Sequence, residues 1–250
     1  MTKAVTTSLD GRTLTMESRR LDLSFRPTNV GVVRLPDRLV EFNASTIEFG
    51  RTVARELAQV RLEESFRLQG GRLWIGSTQQ VISPAGHVSH IRMGLWEARH
   101  WCLWTHLNGP SSTDDLIGLF NSFTLTEVDA GVVMTSLDPS TVAFEEPSSV
   151  MKVVPQMGLM EVSPLTPRLR STLPAQSGTR ALGGQIYVDE PVDGELNRMH
   201  FVLVSRSAFT SVTPSAVAEA STVGEHDLSK DQIANRALLA MQDLTVDWAS

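Results

Sequence analysis

The chain is poor in cysteine, lysine and tyrosine, and it has no long apolar run. Its one cysteine, Cys102, excludes an intrachain disulfide and a zinc site built on thiolates. That usage suits a reducing compartment. No apolar stretch approaches the roughly 18–20 residues that a membrane helix needs. The apolar clusters are short, such as Val202-Leu203-Val204. The first residues, MTKAVTTSLDGRTLTM, carry no apolar h-region, so no cleaved signal peptide is expected. The expected location is cytoplasmic, or within an assembled particle.

Basic charge is scarce and one-sided in kind. Of 22 basic residues only Lys3, Lys152 and Lys230 are lysines. Arginine suits bidentate pairing, although a GC-rich coding bias gives the same composition. Against 28 acidic residues the net charge is −6, and no basic run exceeds Arg19-Arg20. A nucleic-acid binder needs a basic face to displace counterions from phosphate, so nucleic acid is not an expected partner.

The familiar signatures of chemistry are missing too. There is no Walker-type phosphate loop, no G-x-G-x-x-G, no G-x-S-x-G elbow and no H-E-x-x-H. Gly183-Gly184 reads as a turn. No cofactor and no metal site is expected.

What remains is an ordinary globular composition, 41% hydrophobic and 20% charged, with clear periodicity. Residues 1–20 read as an arm or edge strand. Alternation marks short strands at Leu21–Phe25, Val30–Val33 and Leu39–Phe42. Ser45 and Glu48 form a capping-box pattern, and Val53, Leu57 and Val60 predict a helix over 46–60. The period then falls to two. Leu62, Glu64, Phe66 and Leu68 fall on one face of a strand, and Gly70-Gly71 supplies a hairpin turn. Pro84-Ala85-Gly86 marks another turn before a strand through Ile91, Met93 and Leu95.

The segment Trp101–Leu107 is apolar on both faces, as in the middle of a covered sheet. Ser112, Thr113, Asp114 and Asp115 start a helix whose apolar face runs to Phe123. Val132–Met134 is one more strand. Residues 139–174 hold six of the twelve prolines, so only short elements fit there, near Met151–Val154 and Leu159–Val162. A hairpin spans 185–205, and 207–228 reads as a linker. Ser229 and Gln232 cap a last helix over 230–244.

Candidate site residues follow from this layout. Trp74, Trp96 and Trp104 on the aromatic-rich hairpin, with His100 or His106 at its edge, are candidates for binding a small ligand. His87, His90, His100 and His106 do not bring metal ligands to one point, because strand alternation and spacing separate them. Cys102 and His100 share a strand face but stand too far apart for a relaxed hydrogen bond. Ile233, Leu238, Met241 and Trp248 form a terminal stripe that docks on its own domain or on a protein partner.

The run WCLWTHLNGPSSTDDLIGLFNSFTLTEVDAGVV, from Trp101 to Val133, resembles the closing unit of the PsbP/Mog1-like fold: a buried strand, an N-G-P turn, an amphipathic helix and a short strand. The resemblance spans residues 20–137. It implies a central antiparallel sheet with helices packed on it, and mostly non-enzymatic relatives with no catalytic residues to carry over.

The expected class is therefore α+β, mainly antiparallel, with a core domain at 1–138, a proline-rich β-containing extension at 139–212, and a linker with terminal helix at 213–250. The expected function is a non-catalytic structural or interaction protein. Its partners would be proteins or further copies of itself, as in a phage virion or an injection-type particle. The alternatives are a ligand-binding protein or enzyme using the 74–106 hairpin, and a regulatory protein-binding module.

Overall fold

Two-residue alternation gives most of the chain to strands. The computed structural model describes residues 1–24, 27–81, 88–155, 157–189, 200–214 and 230–249. In chain order, β1 (Thr2–Thr7), β2 (Thr13–Ser18), β3 (Thr28–Arg34) and β4 (Leu39–Thr46) precede α1 (Ile47–Thr52), which a π-helical turn (Val53–Leu57) continues. Then come β5 (Arg61–Leu68), β6 (Gly71–Val81), β7 (Val88–Glu97), β8 (Trp101–Asn108) and α2 (Thr113–Asn121). β9 (Phe123–Val128), β10 (Gly131–Ser136), β11 (Ala143–Phe144), β12 (Ser149–Val154) and β13 (Gly158–Pro164) lead to α3 (Pro167–Ser171). β14 (Thr179–Ala181), β15 (Gly184–Asp189), β16 (His200–Val204), β17 (Ala208–Thr213), α4 (Lys230–Gln242) and β18 (Thr245–Ala249) complete the order. The fold is sheet-dominated. The described helices are short, so α+β describes it only loosely.

Contacts group the chain into two compact units, one of Thr7–Gly11 and Thr28–Ser148, the other of Met1–Thr6, Arg12–Pro27 and Ser149–Ser250. This departs from the contiguous 1–138, 139–212 and 213–250 division. The reason is pairing at long range: β2 takes β18 as its antiparallel neighbour, Glu17 opposite Thr245 and Leu14 opposite Trp248.

In the unit around residues 28–148 the sheet runs β3-β4-β8-β7-β6-β5, antiparallel throughout. β8 lies inside it, between β4 and β7, and Trp101 to Thr105 are buried on both faces. One face carries Phe42, Leu73, Ile75, Trp96 and Leu103 under α2 and the β9–β10 hairpin. Phe120 and Phe123 meet Phe42 edge-on, with centroids 5.7 and 5.6 Å away. Ser112 and Asp115 close a reciprocal cap at the start of α2. Phe123 belongs to β9 and not to the helix.

The opposite face carries Met93, Leu95, Cys102 and Trp104 under α1. Here the structure corrects the sequence reading. Ser45 is buried in β4 opposite Cys102, so Thr46 caps the helix through its hydroxyl to the Phe49 N–H. In the π turn the Ala58 N–H reaches back to the Val53 carbonyl. The wider turn rotates the apolar stripe, so Gly50 and Ala54 face the sheet and Leu57 is 71% exposed.

The β5–β6 hairpin turns on Gln69 and Gly70, both at positive φ (48° and 77°), as a two-residue loop requires. A bulge between Leu62 and Glu64 leaves Glu63 outside the ladder. It therefore sends Leu62 to the α1 face and Phe66 and Leu68 to the other, instead of holding all four alternating residues on one face.

The second unit holds the order β14-β15-β16-β17-β13-β12 and the group β18-β2-β1. Its core joins Met16, Leu23, Met160, Val162, Leu203 and Met241, among others. β17 lies between β16 and β13, so residues 208–213 are a central strand and not the start of a linker. Ser211 and Thr213 take the half-buried alternate positions, while Thr210 is buried on the core side with Ala208 and Val212. Leu21 and Leu23 are buried as expected, although the segment is irregular and not a strand. The turn at residues 84–86, His87, the loop around Pro191 and Gly194, and the Ser229 cap lie outside the described residues. Among the described residues no helix is long and apolar enough to cross a membrane.

Candidate functional site

A buried polar arrangement in the 28–148 unit is built where β7 ends. Glu97 is its last residue and faces Arg72 of β6 and Cys102 of β8. The apolar run before it carries the carboxylate to a position only 8% exposed. A buried carboxylate needs donors. Arg51 of α1 supplies two, Nε to Oε1 at 2.7 Å and Nη2 to Oε2 at 2.8 Å. Trp74 Nε1 donates to Oε2 at 2.9 Å. The Arg72 guanidinium lies over the Trp74 ring, 5.4 Å from its centroid. The Glu97 hydrogen bond, then its charge, raises the Arg51 pKa above the ordinary value.

Cys102 sits beside this group with its sulfur against the Ser45 and Thr46 carbonyls at 3.5 and 3.2 Å. Burial pushes the thiol up to about 12. A thiol in that state is a small apolar packing group and not a nucleophile. His100 stands outside the strand in the β7–β8 turn and is exposed. The Arg99, His100 and Trp101 N–H groups all donate to Glu127, at 3.0, 2.6 and 3.0 Å. Burial pushes the Glu127 pKa up, but those three bonds together outweigh it and hold it low. The loop's donor nest is thus filled by the chain's own carboxylate.

The tryptophans divide between the two sheet faces. Trp96 lies on the α2 face, buried, donating to the Leu68 carbonyl at 2.9 Å. Trp74 and Trp104 lie on the α1 face, where Phe49 covers Trp104 at a centroid distance of 6.2 Å. His106 is exposed on that face, opposite Met93. The structure therefore unites Trp74 and Trp104 and separates both from Trp96 and His100. Among the described residues no three or more His, Cys, Asp or Glu side chains group as for a metal ion.

In the other unit, Ile233, Met241 and Trp248 are buried, and Leu238 packs against the same core half-buried. The stripe turns inward, and Trp248 belongs to β18 and not to the helix. Lys152 is likewise 3% exposed, with Nζ donating to the Leu23 carbonyl at 2.8 Å.

The Arg51–Glu97 pair escaped sequence reasoning. Arg51 reads only as a residue off the helix stripe. The one available signal is a glutamate closing the apolar run of β7, which asks for a buried partner. No family model, curated protein or solved structure matches the chain. What the fold itself defines is a sheet-dominated protein of two units, in which the buried Glu97, Cys102 and Lys152 are held in structural bonds among the described residues.

Proposed function

We propose that the protein is a non-catalytic interaction or assembly subunit, working through protein–protein contacts as part of a larger particle such as a phage virion or an injection-type machine. The observation that carries this reading is the outer edge of β5. This eight-residue strand ends the sheet order, and an open strand edge is a template for another chain. The reading is supported from the other side by Glu97, Glu127 and Cys102, each of which is engaged in bonds within the chain. The PsbP/Mog1-like resemblance, itself a proposal, points the same way, since most proteins of that fold are accessory factors. Size-exclusion chromatography with light scattering tests the reading. An assembly subunit self-associates or binds a partner of its own particle. A strict monomer at high concentration, which turns over a metabolite, would overturn it.

A further inference from the structure

The edge of β5 also carries an unbalanced charge pattern. Arg67 stands directly opposite Arg72 in the hairpin register, and like charges so placed repel. Arg72 is accommodated by Trp74. Arg67 is exposed and makes no ion pair among the described residues. At the other end of the strand, Glu63 has only a long contact to Arg61, at 3.6 Å, with both side chains mostly in solvent. The bulge leaves Glu63 without a partner residue on β6, so it is free to turn toward an incoming strand. Glu64 is different: Arg92 holds it at 2.9 Å.

Glu63, two residues before Ser65, and Arg67, two residues after it, make this stretch complementary to its own reverse, with Arg61 lying beyond the pair at the strand's start. We propose that two copies of this chain pair antiparallel through β5, about a two-fold axis near Ser65, with each Arg67 beside the second copy's Glu63. The inference rests on the assembly reading and names the partner for it. The same apposition lays the second strand beside Phe66 and Leu68, which are only half-buried. The turn that ends the strand is anchored, because the Gln69 side chain donates to the Phe123 carbonyl at 2.8 Å and accepts from the Leu125 N–H at 2.8 Å. Anchoring the turn lowers the entropy lost on pairing.

Light scattering on the full chain and three variants tests this. The wild type is expected to be a dimer. Glu63→Arg and Arg67→Glu should each weaken it by about ten-fold or more, since like charges then face each other across the axis. The double variant E63R/R67E should restore it, because the exchange preserves complementarity. A separate Ser65→Cys variant should form an intermolecular disulfide on mild oxidation. A dimer that persists in both single variants would place the interface elsewhere and overturn the proposal while leaving the assembly reading intact. Loss without rescue in the double variant, or a dimer in which Ser65→Cys does not cross-link, would overturn the register. A wild-type monomer that still binds another protein would overturn the self-pairing alone, and one that binds nothing would remove both.

Discussion

Gly50 of α1 and Cys102 of β8 approach so closely that a Cβ on Gly50 would overlap the Cys102 sulfur, with Leu95 Cδ1 only 3.1 Å away. Helix propensity alone would favour alanine at position 50 by about 1 kcal/mol. Overpacking a filled interior costs about 1–3 kcal/mol. The sulfur is itself held against the Ser45 and Thr46 carbonyls, so it cannot move aside freely. Gly50→Ala is therefore expected to lower stability in urea unfolding. Combined with Cys102→Ala, which makes room, the loss should be smaller than the sum of the two single losses. Strict additivity would show that helix and sheet do not meet there.

Burial between α1 and the sheet makes Cys102 inert. With the thiol pushed up to about 12, thiolate at pH 8 is on the order of one part in ten thousand. A small disulfide reagent such as dithiodipyridine should leave the native chain unlabelled and react only as denaturant opens the fold. Rapid labelling without denaturant would mean that α1 lifts from the sheet.

How much of this was legible beforehand depended on the range of the interaction. The β8 strand was readable because Trp101 to Leu107 is apolar on both faces, and the α2 cap because Ser112 and Asp115 are three residues apart. The hairpin turn was readable from local backbone chemistry at Gly70-Gly71, although the loop falls one residue earlier, on Gln69 and Gly70, with Gly71 opening β6. What failed were features set by distant neighbours. Ser45 looks like a cap until Cys102 is placed opposite it. Residues 208–213 look like a linker until β13 and β16 flank them. The terminal stripe reads as docking either on its own domain or on a partner until β2 claims Trp248. Within the candidate site, Trp74, Trp96 and Trp104 follow in sequence as one cluster, yet alternation on successive strands sends Trp96 to the other face. Arg51 and Glu97 carry no pattern linking them at all.

That pair sets the next expectation. Glu97→Ala removes the acceptor for Arg51 and for the half-buried Trp74 N–H. Leaving a buried donor unsatisfied costs about 1–3 kcal/mol. Arg51→Ala should cost less, because its side chain is 60% exposed and solvent screens the pair, while Trp74 still serves Glu97. A double-mutant cycle at low salt should return a coupling of about 1 kcal/mol. Coupling indistinguishable from zero would mean that Arg51 is solvated and the contact is incidental.

Lys152 gives the fold a pH dependence of defined sign. Its amine is pulled down to about 8, first by burial, with the Asp22 charge acting in the opposite direction; the value in an unfolded chain is 10.5. Between those values the unfolded chain binds a proton that the folded chain does not. Stability contributed by this site therefore rises as pH climbs from about 8 toward 10.5, and it is at its lowest, and flat, below 8. Other groups titrate in the same window, so the informative quantity is the difference between wild type and Lys152→Met. Methionine keeps the apolar stem in the core and removes the ammonium, although the Leu23 carbonyl loses the donor at 2.8 Å. The variant's stability relative to wild type should accordingly be greatest near pH 7 and shrink steadily above pH 8. A difference that stays constant from pH 7 to 10 would show that Lys152 keeps its proton throughout, with water reaching the amine between β12 and the Leu21–Ser24 segment.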